Sequence, residues 1–151
     1  DFPATELVSG EVSLPVCRAL GAIASEALQP AAGPGTLLYV YEFEEDIAKL
    51  QPDFSALMAA SERTVIVSAP GNNCDVVSRF FGPQVGINED PVTGSAHCSL
   101  VPYWSSRLHK DRLLCRQISP RGGRLDCELR DGRVFMTGSA VTFMQGFVEG
   151  F

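Results

Sequence analysis

The sequence predicts one α+β domain in which a mostly antiparallel sheet wraps around a central buried helix. Three observations carry this expectation. Gly94–Leu108 is apolar on nearly every side, as an enclosed helix is. The segments beyond it read as short strands, two of them joined by Asp131-Gly132, a two-residue turn of the type hairpins favour. Thr64–Ala69 is a short apolar run, best read as a buried strand. The chain's 151 residues fit a single domain spanning residues 1–151 and can enclose a sizeable core.

In chain order, Ser13–Leu28 reads as a helix. Val16, Leu20, Ile23, Ala24, Ala27 and Leu28 recur at helical spacing, and Ser13 and Pro15 stand where a helix start needs them. Pro30 and the run from Ala31 to Gly35 end it. Thr36–Phe43 is a strand rich in Leu, Val and Tyr. Glu44–Leu50 and Phe54–Ala60 are helical, interrupted at Pro52-Asp53, and the acidic run Glu44-Glu45-Asp46 suits a helix start. Pro70–Asn73 is a turn, Cys74–Phe81 a strand and Gly82–Val92 a loop. In the long helix that follows, Ala96, Leu100, Tyr103 and Trp104 lie on one side, with Val101 and Leu108 near the other. Pro102 lies inside it and is expected to cost about 3 kcal/mol or to bend it. Arg112–Ser119, Arg124–Leu129 and Arg133–Thr137 are strands, and Ser139–Val148, rich in β-branched and aromatic residues, is expected as the last one.

Composition narrows the function classes. The formal net charge is −6, which disfavours a polyanionic partner such as nucleic acid. The arginines at 116, 121 and 124 read as a solvated edge. No run of 18 apolar residues is long enough to span a membrane, and the chain opens with no signal-peptide pattern. Its first residue is Asp rather than Met, which is expected of a processed or excised chain. Cys17, Cys74, Cys98, Cys115 and Cys127 form no C-x-x-C pair and no zinc spacing. They read as reduced thiols in a reducing compartment, and a cytoplasmic location is expected.

The informative stretch runs from Glu89 to His97: Glu-Asp-Pro-Val-Thr-Gly-Ser-Ala-His. It leads into the start of the buried helix, where backbone N–H groups have no partner within the helix and aligned dipoles favour an anion. Gly94 lacks a Cβ, so a ligand has close access to the backbone. Thr93 or Ser95 adds a hydroxyl, and Asp90 stands just outside, held by Pro91. Thr93, Gly94 and Ser95 form a cradle for a carboxylate or an enolate oxygen, with Asp90 as the titratable group beside it. Asp, Thr and Ser also serve simply as helix caps. His97 alone reads as a packed, hydrogen-bonded histidine, and His109 as a favourable contact with the helix C-terminus.

This motif, followed by Pro102-Tyr103-Trp104 on the same helix, resembles the second-half signature of the PhzF-like family of phenazine biosynthesis. Asp1-Phe2-Pro3-Ala4 looks like the opening of that half. Ser78-Arg79-Phe80-Phe81, Gln117-Ile118-Ser119, Arg121-Gly122-Gly123, Arg133-Val134 and Gly138 follow in the same order. The resemblance implies one half of a diaminopimelate-epimerase-like fold, in which two domains each wrap a sheet around a helix and share a cleft. It also implies that Asp90 helps bind and protonate substrate while Gly94 and Ser95 hold it. Thr93 stands where racemases of this fold place a cysteine, and its hydroxyl is far too weak an acid to replace a thiol. The family's proton-moving glutamate belongs to a first half that this sequence does not contain, and Glu42, Glu44 and Glu45 are not substitutes for it.

The expected activity is therefore cofactor-independent isomerisation by carboxylate-mediated proton transfer on a small anionic, carboxylate-bearing molecule. No metal and no cofactor are expected. The chain alone is expected to be inactive without the N-terminal domain, and to meet that domain or a second copy of itself across an apolar face. Two alternatives stand beside this: a non-catalytic binding or interaction domain on the same scaffold, and a homodimeric enzyme in which two copies of Asp90 face each other.

Overall fold

The computed structural model describes residues 1–147 and 149. Its strands are β1 (Phe2–Pro3), β2 (Leu7–Gly10), β3 (Glu26–Pro30), β4 (Leu37–Val40), β5 (Val65–Pro70), β6 (Val76–Gly82), β7 (Ile87–Asp90), β8 (Arg112–Gln117), β9 (Gly123–Arg130) and β10 (Arg133–Thr137). Its helices are α1 (Leu14–Leu20), α2 (Glu44–Ala48), α3 (Phe54–Ala60) and α4 (His97–Leu108), with a 3-10 turn at Pro83–Val85. The strands form one sheet in the order β1-β10-β9-β8-β6-β5-β4-β3-β2, with β7 also paired to β6. Only β4–β5 and β6–β8 are parallel among the described pairs. The architecture is the expected α+β roll.

Strand alternation divides the interior between the two faces of the sheet. Ile66 of β5 points inward to α4, where Leu100, Val101 and Trp104 pack against Leu38, Val76, Leu113 and Leu125. Its neighbours Val65 and Val67 point outward, under Val16 and Leu20 of α1, Ile47 of α2 and Leu57 of α3. Truncating a fully enclosed side chain such as Leu100 costs about 2–5 kcal/mol, because the void left behind does not close. Trp104 brings one polar atom inside. Its Nε1 donates to Ser68 Oγ at 2.9 Å, and Ser68 in turn donates to the Val77 carbonyl at 2.8 Å.

Pro102 sits inside α4 without an N–H to give to the Cys98 carbonyl, four residues back. The backbone N–H of Thr5 takes that carbonyl instead, at 2.8 Å. Thr5 belongs to the connection between β1 and β2, which is thereby pinned across the helix. The bond that proline removes is replaced from elsewhere in the chain.

Several boundaries differ from the sequence reading. The helix expected over 13–28 stops at Leu20, because Gly21 adopts a left-handed conformation (φ 95°) that ends it. Ala27 and Leu28, counted toward helical spacing, lie on β3 and bury on opposite faces of the sheet. The loop expected over 82–92 contains β7, and β1 and β2 were not anticipated. The long helix begins regularly at His97 rather than at Gly94, after a tight turn over 94–96. The last strand, expected over Ser139–Val148, does not form across 139–147, and Val148 lies outside the described residues. Val141, Phe143, Met144 and Phe147 there are 83–96% exposed. High β-propensity has no effect without a ladder to join.

Among the described residues, no helix is long and apolar enough to cross a membrane, and no three His, Cys, Asp or Glu side chains cluster as a metal site. All five cysteines are free.

Candidate active site at the start of the enclosed helix

The site is built where the partnerships of β6 divide. One edge of β6 pairs with β8 over Val76–Ser78 and with β7 over Phe80–Gly82. Arg79 lies between the two sets. Its guanidinium grips Glu89 of β7 in two bonds, at 2.7 and 2.9 Å, and donates to the carbonyls of Ile47 and Leu50 at 3.0 and 2.9 Å. Every polar contact of this largely buried pair is a charge-assisted bond, the stronger class of hydrogen bond. The pair anchors β7, and Asp90 is the next residue.

From Asp90 the chain turns through Pro91 and Val92 into α4. Gln117, at the end of β8 and 1% exposed, holds this turn from beneath. Its Oε1 accepts from the Thr93 N–H at 2.7 Å, and its Nε2 donates to the Asp90 carbonyl at 2.5 Å and to Thr93 Oγ1 at 3.2 Å. The Thr93 hydroxyl donates to Asp90 Oδ2. Ser119 donates to the Pro91 carbonyl at 2.7 Å and accepts from the Gly122 N–H at 3.0 Å. Gly123 packs so closely that a Cβ there would meet Val92 Cγ2 at 2.3 Å. The β8–β9 connection is thus fitted against the loop.

His97 closes the loop from the helix side. Its Nδ1 bonds the Thr93 carbonyl at 2.9 Å, and a carbonyl acceptor requires the proton on Nδ1. Burial holds the imidazole below its ordinary pKa, though the contacts to Thr93 and Gly94 act in the opposite direction, so the ring is neutral. Its Nε2 is buried with no hydrogen-bond partner among the described residues.

The four residues singled out in the sequence come together, with different exposures. Thr93 is buried, and both its N–H and its hydroxyl point inward. Gly94 and Ser95 are exposed and Asp90 is half-buried. Among the described residues, the N–H groups of Gly94, Ser95 and Ala96 donate to no backbone carbonyl, and the helix start has no side-chain cap. A Cβ at Gly94 would meet nothing within 4 Å, so the approach is open. The result is a set of N–H donors without a backbone partner in the turn that leads into a 12-residue helix, beside a carboxylate. Chemically it is able to hold an anion and exchange a proton with it.

His97 is the packed, hydrogen-bonded histidine that the sequence predicts; Gln117 and Ser119 had appeared in the sequence only as parts of a motif. Their roles depend on contacts across the fold, at separations of 24 and 27 residues for Gln117, which no local pattern carries. His109 takes the left-handed conformation at the C-terminal end of α4 (φ 54°).

A sheet rolled around one helix, with that helix opening beside an acid, defines a class of α+β proteins. The chain belongs to the phenazine biosynthesis-like protein family (PhzC-PhzF), whose model matches residues 18–146. An uncharacterized isomerase of Pseudomonas aeruginosa is 44% identical over 97% of this chain and 55% of its own length. A second one from the same organism is 50% identical over 75% of this chain and 43% of its own length. The crystal structure of a PhzF-family protein from Enterococcus faecalis superposes with a TM-score of 0.81 at 43% identity, covering 95% of this chain and 53% of that one. A PhzC/PhzF protein from Clostridium difficile superposes with a TM-score of 0.84 at 35% identity, covering 98% and 56%. The chain spans about half the length of the curated relatives it matches.

Proposed function

We propose that this chain is the C-terminal domain of a cofactor-independent PhzF-like isomerase or epimerase, in which Asp90 exchanges a proton with carbon on a small carboxylate-bearing substrate. The observation that carries the reading is the half-buried Asp90 carboxylate beside the open N–H groups of Gly94 and Ser95. Those donors suit the oxyanion of an enolate-like intermediate, which gathers charge as the C–H bond breaks. Ser95 adds an exposed hydroxyl. Thr93, turned inward, contributes by orienting Asp90.

One wall and one acid do not make a closed site. Proton transfer at carbon needs a base on one side and an acid on the other, held in a dry cleft. We therefore infer that turnover requires a first domain that supplies the second wall, and that the chain alone is inactive. The test is solvent-deuterium incorporation into a panel of small carboxylates with an acidic C–H, using this chain alone and joined to the first half of a close relative. The joined protein is expected to exchange deuterium, and its Asp90→Asn variant to lose it. Exchange that survives Asp90→Asn would rule the reading out.

The exposed apolar stretch at Val141, Phe143, Met144 and Phe147 favours a second reading, as an interaction domain that pairs with a first domain or with another copy of itself. Light scattering that reports a pure monomer at high concentration removes the self-association. The five free thiols fit a reducing compartment, and we extend the reading to the cytoplasm.

A further inference from the structure

We propose that Gln117 is a positioning residue which, through Thr93, fixes the oxygen of Asp90 that carries the proton. This rests on Asp90 being the acid–base group of the reading above.

The orientation of the Gln117 amide is set by its partners. The Thr93 N–H can only donate, so the atom 2.7 Å away is Oε1. The Asp90 carbonyl can only accept, so the atom 2.5 Å away is Nε2. Nε2 also reaches Thr93 Oγ1 at 3.2 Å, where it must be the donor. A hydroxyl has a single hydrogen. With its oxygen receiving from Gln117, Thr93 is left to give that hydrogen to Asp90 Oδ2. The bonds therefore run one way, from amide to hydroxyl to carboxylate.

The direction has a chemical result. Oδ2 stays an acceptor in both protonation states of Asp90, so a proton held by Asp90 sits on Oδ1. When Asp90 acts as an acid, the Oδ1–H bond breaks and its electron pair stays on the carboxylate. The substrate carbanion uses its own lone pair to form the new C–H bond. In the reverse direction Oδ1 takes the proton back. Gln117 is buried beneath the turn and acts on the reaction through Thr93 and the Asp90 backbone.

Of the titratable groups packed near Asp90, Glu89 on the same strand is paired with Arg79, and His97 on α4 is buried and neutral. An Asp90→Asn control separates its titration from theirs.

The test is nuclear magnetic resonance on the isotopically labelled 151-residue chain, following the Thr93 hydroxyl proton as pH is varied. In the wild type the hydroxyl proton is expected to be observable, to show a cross-peak to the Gln117 amide protons, and to shift as Asp90 ionises. The shift is lost in Asp90→Asn and retained by the serine hydroxyl of Thr93→Ser. In Gln117→Leu the resonance is lost to solvent exchange. A wild-type hydroxyl that ignores Asp90, or an unchanged response in Gln117→Leu, overturns the proposal. Should Gln117→Leu fail to fold, the wild-type and Thr93→Ser titrations decide it. The readout needs no turnover, so it is distinct from the deuterium-exchange test, which decides whether Asp90 is the catalytic acid.

Discussion

His97 gives its Nδ1 proton to the carbonyl of Thr93 at 2.9 Å from a ring that is 0% exposed. The helix thereby fastens the loop that leads into it, while burial around the ring opposes a second proton on Nε2.

Burial holds the folded-state pKa of His97 below the ordinary value, so the unfolded chain binds the extra proton first. Stability is therefore fully present above about pH 6.5 and falls as pH drops toward the folded pKa, by up to about 1.4 kcal/mol per pH unit. Urea denaturation across pH 4.5–7.5 is expected to show this slope. His97→Asn keeps a donor near the position of Nδ1 and is expected to lose the slope, at the cost of a smaller, imperfectly filled site.

Arg79→Leu is expected to be among the most damaging changes near the site. It leaves Glu89, whose side chain is only 13% exposed, without its counter-charge, and strips the carbonyls of Ile47 and Leu50 of a donor. Breaking a buried pair from one side costs about 3–5 kcal/mol. The double variant Arg79→Leu, Glu89→Leu should recover part of that loss in equilibrium unfolding, because no lone charge remains.

Gly123→Ala places a methyl group 2.3 Å from Val92 Cγ2, and a β-branched side chain has few ways to yield. A loss of about 1–3 kcal/mol is expected from such overpacking. Val92→Ala in the same chain should relieve most of it. A double-mutant cycle that reports simple additivity would contradict the contact.

Asp75 links β6 to β8 by accepting from the Leu114 N–H at 2.8 Å and from Lys110 Nζ at 2.5 Å. Partial burial acts to raise its carboxyl, but these two donors outweigh it and hold the group below the usual carboxylate range. The associated stability is present above the unfolded value of about 3.9 and is lost as pH falls through the folded value. Asp75→Asn should cost about 1–2 kcal/mol near pH 7 and less near about pH 3. Denaturation midpoints at the two pH values check both.

The sequence made the roll and its enclosed helix legible because both depend on local pattern. Val65–Pro70 is short and apolar apart from Ser68, and Asp131-Gly132 takes positive φ at both positions, 51° and 71°, as a tight hairpin needs. Ala27 and Leu28 misled because two adjacent apolar residues satisfy helical and strand patterns equally. β7 was missed because Ile87, Asn88, Glu89 and Asp90 look like loop; they are strand only because Phe80–Gly82 offers them an edge. Asp90, Gly94 and Ser95 were legible as a motif before a helix. The contribution of Gln117 was not, since a side-chain amide reveals its partners only once β8 lies under the loop.

Thr5 and Pro102 have a consequence for how the molecule assembles. A helix without an internal proline can complete its own ladder before anything docks on it. Here the carbonyl of Cys98 finds its backbone donor only when a segment near the start of the chain is laid across it. Local helix formation and a distant chain crossing become parts of one cooperative event, so excising the first few residues should loosen the centre of the roll as well as its edge.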